Sequence, residues 1–347
     1  VAAGTVHTCA VHADGKVSCW GYGAVIGPGL PALTPPVNIA LPGRASAIAV
    51  GIQAACALVD SGLVHCWGDL GKGPEGPAPV IKEDGTPLDH VRSIAGGSVA
   101  FCAATETATH CWGENKASEL ARPPSMTFPP RTAVMVLDGP RPLLAATVAI
   151  LVHDGAGELC GWGNNDSAIA PGPRGIVERP ACAPVPGVLQ LTAGDGHACA
   201  RRGGAAFSCW GSNAGGQLGN GDDSMMDVAL PGPLLTSALP APIIALAAGA
   251  YHTCALVQGG AAWCWGSNEQ GECGTPSSAP VFSPAAVPGV KARAVAIGSG
   301  AGAQHTCVVL DDGSVSCWGS DADGQLGSGA TSEDATRFSA DPVPVRW

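Results

Sequence analysis

Cysteine and histidine are the residues of this 347-residue chain whose placement could do chemistry. Six cysteine pairs recur at nearly one spacing: Cys9 with Cys19, Cys56 with Cys66, Cys102 with Cys111, Cys199 with Cys209, Cys254 with Cys264 and Cys307 with Cys317. His7, His197, His252 and His305 each stand two residues before the first cysteine of a pair. Such residues either oxidise to disulfides or hold a soft metal such as zinc. Spacing favours oxidation. With Ala13, Asp14 and Gly15 as a three-residue hairpin loop, Gly15 in the left-handed position, the opposed pairs run 12/16, 11/17, 10/18 and 9/19, so Cys9 faces Cys19. Opposed antiparallel residues have Cα atoms roughly 4.5 or 5.5 Å apart, within the reach of a disulfide. The same count puts Gly62, Gly260 and Gly313 at the end of their loops, while the pairing of Cys102 with Cys111 requires a loop one residue shorter. No C-x-x-C pair of the structural-zinc kind occurs, and a disulfide sulfur is no longer a thiolate ligand, so no metal or cofactor is expected. Each histidine is read instead as a once-per-repeat group bonding neighbouring backbone.

Three cysteines remain. Cys160 holds the second-strand position of its repeat, and Cys182 falls where the third strand should run beside it, which predicts a bridge between Cys160 and Cys182. Cys273 is expected to be a buried free thiol behaving as a small hydrophobe, with bonding to a second chain as the alternative. Catalysis would need a converging set of side chains, yet no G-x-S-x-G elbow, H-E-x-x-H helix or phosphate loop is present. The neighbours Asp222 and Asp223, Asp311 and Asp312, and Glu333 and Asp334 read as turns and solvated loops, and Asp321 with Asp323 as a variant of a repeat motif rather than a calcium site. No catalytic residues and no enzyme are therefore expected.

The elements that position these residues are repeats. Trp-Gly occurs at Trp20, Trp67, Trp112, Trp162, Trp210, Trp265 and Trp318, at spacings of 45 to 55 residues. Upstream of these stand versions of one phrase, among them VAAGTVHTCAVHADGKVSCWG from Val1 and LAAGAYHTCALVQGGAAWCWG from Leu246. Alternating apolar spacing, Gly-rich turns and this period suit the blade of a propeller. Each repeat divides into a His-Thr-Cys strand, a Cys-Trp-Gly strand, a third strand after a long loop, and a fourth at the A-A-G run. The loops after Trp-Gly and the A-A-G-x-x-H segments then share one face of the disc, with the Asp-Gly turns on the other.

The phrases A-A-G-x-x-H-T-x-A-L and D-G-x-V-x-x-W-G, followed by GSNAGGQLG from Gly211 or GSDADGQLG from Gly319, resemble the repeat of the regulator of chromosome condensation family, seven-bladed propellers. The resemblance runs through the whole chain. It implies an all-β, seven-bladed propeller of four-stranded blades, residues 1–347 as one domain, closed by pairing of the C-terminal segment 337–347 with the blade containing 1–21. Propellers of this kind include a nuclear exchange factor for a small GTPase, a plant ultraviolet photoreceptor and a secreted bacterial inhibitor of β-lactamases.

The loops after Trp20, Trp67, Trp112 and Trp162 read GYGAVIGPG, GDLGKGPEG, GENKASELA and GNNDSAIAP, and depart from the motif. The segments 69–75, 114–119 and 164–168 of this irregular arc are the expected binding surface, since loops on a rigid scaffold carry recognition. Tyr22, Lys72, Glu75, Glu114, Lys116 and Glu119 are its candidate partner-binding residues.

Composition bounds the partner. A net charge of −11 repels phosphate backbones and anionic lipid, which argues against nucleic acid and membrane surfaces. No apolar run of membrane-spanning length occurs, and the opening VAAGTVHTCA has neither the basic start nor the apolar core of a signal peptide, so any targeting segment lies outside it. Bridges in most blades place the protein in an extracellular, periplasmic or cell-surface setting. The expected function is a non-enzymatic, monomeric, secreted or surface propeller that binds a protein. The alternatives are a carbohydrate-binding propeller, for which Tyr22, Tyr251, Trp263 and Trp347 are the stacking candidates, and a structural module of a larger surface protein.

Overall fold

A computed structural model describes residues 1–70, 74–125, 129, 131–222, 226–228, 230, 239–297, 303–329 and 337–347. They form seven antiparallel sheets, most of them with four strands in simple up-and-down order. The first blade is Ala2–Ala3, His7–Val11, Val17–Tyr22 and Leu33–Ile39. The second is Ala45–Val50, Ala54–Val59, Val64–Asp69 and Pro74–Pro79. In the third, Val91–Gly96, Ala100–Thr105, Ala108–Gly113 and Thr132–Asp138 are joined by the parallel edge strand Ile81–Lys82. The last blade is Ala292–Ile297, His305–Leu310, Val315–Ser320 and Phe338–Pro344. No helix among the described residues is long and apolar enough to cross a membrane.

The A-A-G run is the innermost strand of the blade that follows it, not the fourth strand of the blade before. Ala49 pairs with Cys56 and Ala247 with Cys254, so each run lies against the next His-Thr-Cys strand. These inner strands line a central cavity of about 200 Å³ through small residues such as Ala3, Ala49, Ala145, Ala193 and Ala248. Small side chains are what allow seven strands to converge on one axis.

Ring closure also differs from expectation. The C-terminal strand pairs with the third strand of its own last blade, Cys317 opposite Val343 and Gly319 opposite Ser339. The first blade is complete without it, with Ala2–Ala3 on its inner side and Leu33–Ile39 on its outer side. Closure is carried instead by packing and by side-chain hydrogen bonds between the last blade and the first. Trp20, Ala10 and Val345 share one apolar cluster with Cys307, Val315, Cys317 and Leu326, and Trp347 sits edge-on to Trp20 at 5.5 Å.

Trp-Gly recurs because each residue has a fixed task. All seven tryptophans are fully buried between blades. The glycine after each has φ between 89° and 113°, and a Cβ there would strike the backbone of the preceding A-A-G-x-x-H segment, as at Gly68 against the Gln53 oxygen (2.5 Å). That same oxygen accepts the next amide: Asp69 N–H to Gln53 O (2.7 Å), Glu114 N–H to Val99 O (3.0 Å), Ser267 N–H to Tyr251 O (2.8 Å). The two loop sets therefore share one face, as strand order requires.

The six hairpin pairs are disulfide-bonded as their spacing predicts. Cys9 bonds Cys19, Cys56 bonds Cys66, Cys102 bonds Cys111, Cys199 bonds Cys209, Cys254 bonds Cys264 and Cys307 bonds Cys317. Cys160 bonds Cys182, joining the third strand of its blade to the fourth rather than closing a hairpin between the second and third. Cα separations are 4.0–4.1 Å throughout. Each bridge joins directly opposed residues of neighbouring strands, in the closer of the two antiparallel pair types. Cys273 is buried and unbridged.

Candidate functional site

Adjacent blades are latched by one repeated group. In the loop after Trp-Gly, a glutamine or glutamate offers its backbone oxygen to the next blade. Gln217 O accepts the Thr253 hydroxyl (3.0 Å) and the Trp265 indole N–H (2.9 Å). Glu272 O accepts from Thr306 (3.0 Å) and Trp318 (2.8 Å), and Gln325 O from Thr8 (3.0 Å) and Trp20 (2.9 Å), the last pair crossing the ring closure. Because each threonine spends its only proton on the carbonyl, its oxygen must accept from a histidine of the preceding blade. His197 Nε2 lies 2.8 Å from Thr253 Oγ1, His252 Nε2 3.0 Å from Thr306 Oγ1, and His305 Nε2 2.8 Å from Thr8 Oγ1. These three imidazoles thus carry their proton on Nε2. Burial pushes all three down to about 3, so they are neutral. The once-per-repeat histidines are inter-blade clasps that bond a side-chain hydroxyl, not the backbone contacts expected from sequence.

The loop itself is held by an asparagine. Asn213 Oδ1 accepts the Leu218 amide and Asn268 Oδ1 the Cys273 amide. Asn115 does the same for Leu120 (2.9 Å), Asn165 for Ala170 (2.8 Å), and Asp321 for Leu326 (3.0 Å). The segments 114–119 and 164–168 are therefore regular loops, contrary to expectation. Their glycines are replaced by Ser118, Ala121 and Ala168, which keep the left-handed backbone with φ of 64°, 52° and 55°. Glu119 is corrected with them. It is 4% exposed, its carboxylate accepts the Ala117 amide and its carbonyl latches the Trp162 indole (2.8 Å), so it is a blade clasp rather than a surface residue.

The latch fails around the second blade. Ala54 and Ala55 replace the histidine and threonine, and Phe101 occupies the threonine position of the third blade. His7, fully buried, finds no partner for either ring nitrogen, and the indoles of Trp67 and Trp112 have none either, among the described residues. After Trp20 the loop is replaced by the short helix Gly23–Ile26, whose Val25 and Ile26 pack in one cluster with Trp67. Apolar contact stands there in place of hydrogen bonding.

A cleft of about 240 Å³ opens on the Trp-Gly loop face between the second and third blades. Leu70, Phe101, Ile52 and Val99 give it apolar walls; Gln53, Ser98, Asp69, Glu114 and Lys116 supply its polar groups. Phe101 is fully buried and stacks on Trp112 at 6.2 Å. Glu114 and Lys116 form an ion pair of 2.6 Å, with the lysine side chain 53% exposed. Ser98 is 7% exposed, and its hydroxyl has no partner among the described residues.

Of the six candidate partner-binding residues, the structure brings only Glu114 and Lys116 to this cleft. Tyr22 is 38% exposed at the start of the Gly23–Ile26 helix. Glu75 lies on the outer strand, ion-paired with Arg131. Lys72 lies outside the described residues, as do Asp223, Glu333 and Asp334. None of Tyr22, Tyr251, Trp263 and Trp347 lines the cleft. Ile52, Gln53, Ser98 and Val99 went unrecognised in the sequence, although the loss of histidine at Ala54 was the available signal. Asp321, the first member of the Asp-x-Asp pair, holds the asparagine position and is ion-paired with Arg337 (2.9 Å). Among the described residues one set of potential metal ligands converges, Glu158, Cys160 and Cys182, and its two sulfurs are bonded to each other.

The regulator of chromosome condensation (RCC1) repeat matches residues 205–256 and 259–309, and a second model of that repeat matches 243–272 and 295–325. The chain thus carries RCC1 repeats over residues 205–325. Its matched segments coincide with the arc in which the histidine clasp is intact. The chain is similar to the ultraviolet-B receptor UVR8 of Arabidopsis thaliana, 34% identical over 156 residues, covering 44% of this chain and 34% of the receptor. It thus spans about a third of that relative's length. Yeast RCC1 (Prp20), solved bound to Kap60, superposes with a TM-score of 0.77 at 21% identity, over 98% of this chain and 83% of that one. Human WBSCR16 superposes with a TM-score of 0.80 at 18% identity, over 96% and 94% of the two chains. These two likenesses concern the RCC1-repeat fold.

Proposed function

We propose that this RCC1-repeat propeller is a secreted or cell-surface binding protein with no chemistry of its own, which docks a partner protein on its Trp-Gly loop face at the cleft between the second and third blades. The observation that carries the reading is the position of that cleft, at a junction that lacks the histidine–threonine latch of the regular arc. A rigid ring with altered junctions on both sides of one blade suits recognition, because the scaffold stays fixed while the junctions vary. A protein partner is in keeping with yeast RCC1, which was solved in complex with Kap60. The seven disulfides support an oxidising compartment.

The test is cross-linking of the protein to partners captured from its native extracytoplasmic fraction, followed by mapping of the linked residues. Links at 52–53, 69–70 and 114–116 are expected. Links confined to the opposite face, at Lys16 or Lys291, would reject this docking face, and a fully reduced protein from the native source would reject the compartment.

A further inference from the structure

We infer that the cleft between the second and third blades receives a basic side chain, lysine or arginine, from a segment of the partner protein; this rests on the docking face proposed above. Three observations converge on that chemistry.

The first is the shape of the lining. A lysine or arginine is an apolar stem with a charged tip, and it buries the stem only where the tip finds a counter-charge or water. The cleft offers both kinds of surface: Leu70, Phe101, Ile52 and Val99 for a stem, and Asp69 and Glu114 for a tip. Asp69 and Glu114 are equivalent residues of adjacent blades, each the first after its Trp-Gly pair, with its amide tied to the preceding A-A-G-x-x-H segment. Their backbone positions are thus fixed on both sides of the junction. Ser98, almost fully buried in the lining and with no partner for its hydroxyl among the described residues, adds a polar group.

The second observation is internal. Lys116 already brings its ammonium to Glu114 while its side chain remains half exposed. An exposed ion pair of this kind adds little to stability, so an incoming cation whose stem is buried can displace it.

The third is the field of the face. The described loops after Trp-Gly carry carboxylates at Asp69, Glu114, Asp166, Asp222, Glu269 and Asp323. Their described cations are ion-paired, Lys116 with Glu114, Arg122 with Glu83 and Arg174 with Asp227, while Lys72 lies outside the described residues. With a chain charge of −11, this face attracts a basic segment and repels an acidic one.

Isotope-labelled protein titrated with acetyl-Gly-Lys-Gly-amide or acetyl-Gly-Arg-Gly-amide tests the inference. Amide shifts are expected at Leu70, Ser98 and Phe101 in the millimolar range. The norleucine peptide, which keeps the lysine stem without its charge, should bind at least about fivefold more weakly, and raised ionic strength should weaken only the charged peptides. Asp69→Asn with Glu114→Gln should lower lysine-peptide affinity about tenfold, whereas Lys116→Met should raise it severalfold by freeing Glu114. Equal binding of the norleucine peptide, tighter binding of acetyl-Gly-Glu-Gly-amide run as an acidic control, or the absence of shifts at these amides would overturn the inference. If cross-links to the native partner map to the cleft while the basic peptides leave it unshifted, the docking face stands and the basic occupant falls. If the peptides bind but cross-links lie elsewhere, the docking face falls.

Discussion

The imidazole of His305 and the hydroxyl of Thr8 meet at 2.8 Å, joining residues 297 positions apart and holding the last blade to the first. Thr8 in turn donates to Gln325 O, so one side chain carries two bonds across the closure. Thr8→Val removes both and leaves a buried imidazole N–H without an acceptor, which costs about 1–3 kcal/mol. Thr253→Val removes the same two bonds between the fifth and sixth blades and should cost a similar amount in urea unfolding. An unchanged midpoint for Thr8→Val would show that packing alone closes the ring.

The buried histidines set the response to acid. His197, His252 and His305 are held near 3 and His7 near 4, all by burial, against about 6.5 in an unfolded chain. Below that unfolded value the unfolded state binds protons that the folded state refuses. Stability is therefore level above it and falls as pH drops toward the folded values, with each histidine adding up to about 1.4 kcal/mol per pH unit. Glu119 and Glu272, raised by burial, act with the opposite sign, but they are two against four.

His7 separates charge from bonding within that set, because neither of its ring nitrogens has a partner among the described residues. His7→Leu exchanges an unsatisfied buried polar ring for an apolar group of similar size. It should raise the melting temperature, more at pH 5 than at neutral pH. His252→Leu breaks the bond to Thr306 and should lower the melting temperature at neutral pH. Equal responses from the two variants would remove the distinction.

Blade number and the disulfides are legible in the sequence because their signals are local: seven Trp-Gly pairs count blades, and a hairpin register places Cys9 opposite Cys19 and Cys254 opposite Cys264. The A-A-G strand falls to the wrong blade because apolar alternation marks a strand without saying which neighbour it pairs with; only the register of Ala49 with Cys56 decides that. The loops at 114–119 and 164–168 look broken because a missing glycine draws more notice than a retained asparagine. Asn115 and Asn165 are the better guides, since the side-chain bond to an amide five residues on builds the loop. The cleft is harder to see. Its walls come from two blades and include Ala54, where the repeat's histidine is missing.

Ser118 gives a test of that loop argument. It holds the left-handed position that Gly216, Gly271 and Gly324 hold in the regular loops, and its buried hydroxyl has no partner among the described residues. A non-glycine residue in this conformation costs about 1–2 kcal/mol, and an unsatisfied hydroxyl adds to that. Ser118→Gly should therefore stabilise the protein by about 1 kcal/mol net of the extra freedom of the unfolded chain, with urea unfolding as the measure. A loss of stability would mean that the Ser118 side chain contributes packing that outweighs the strain.

Cys273 fills the place that Leu218 and Leu326 fill in their loops, in a cluster with Trp318 and Val287. Burial, with Glu272 beside it, raises its thiol well above the ordinary range, so almost no thiolate is present at neutral pH. Thiolate is the reactive form. Iodoacetamide should therefore leave the native protein unlabelled and, after unfolding in guanidinium without reductant, should label Cys273 alone. Cys273→Leu should fold and keep its melting temperature within a few degrees, because the position already holds leucine in three other loops, at Leu120, Leu218 and Leu326. Labelling at hairpin cysteines such as Cys66, Cys111 or Cys209 in the unfolded, unreduced protein would show that those bridges are not formed, and rapid native labelling of Cys273 would show that its loop opens.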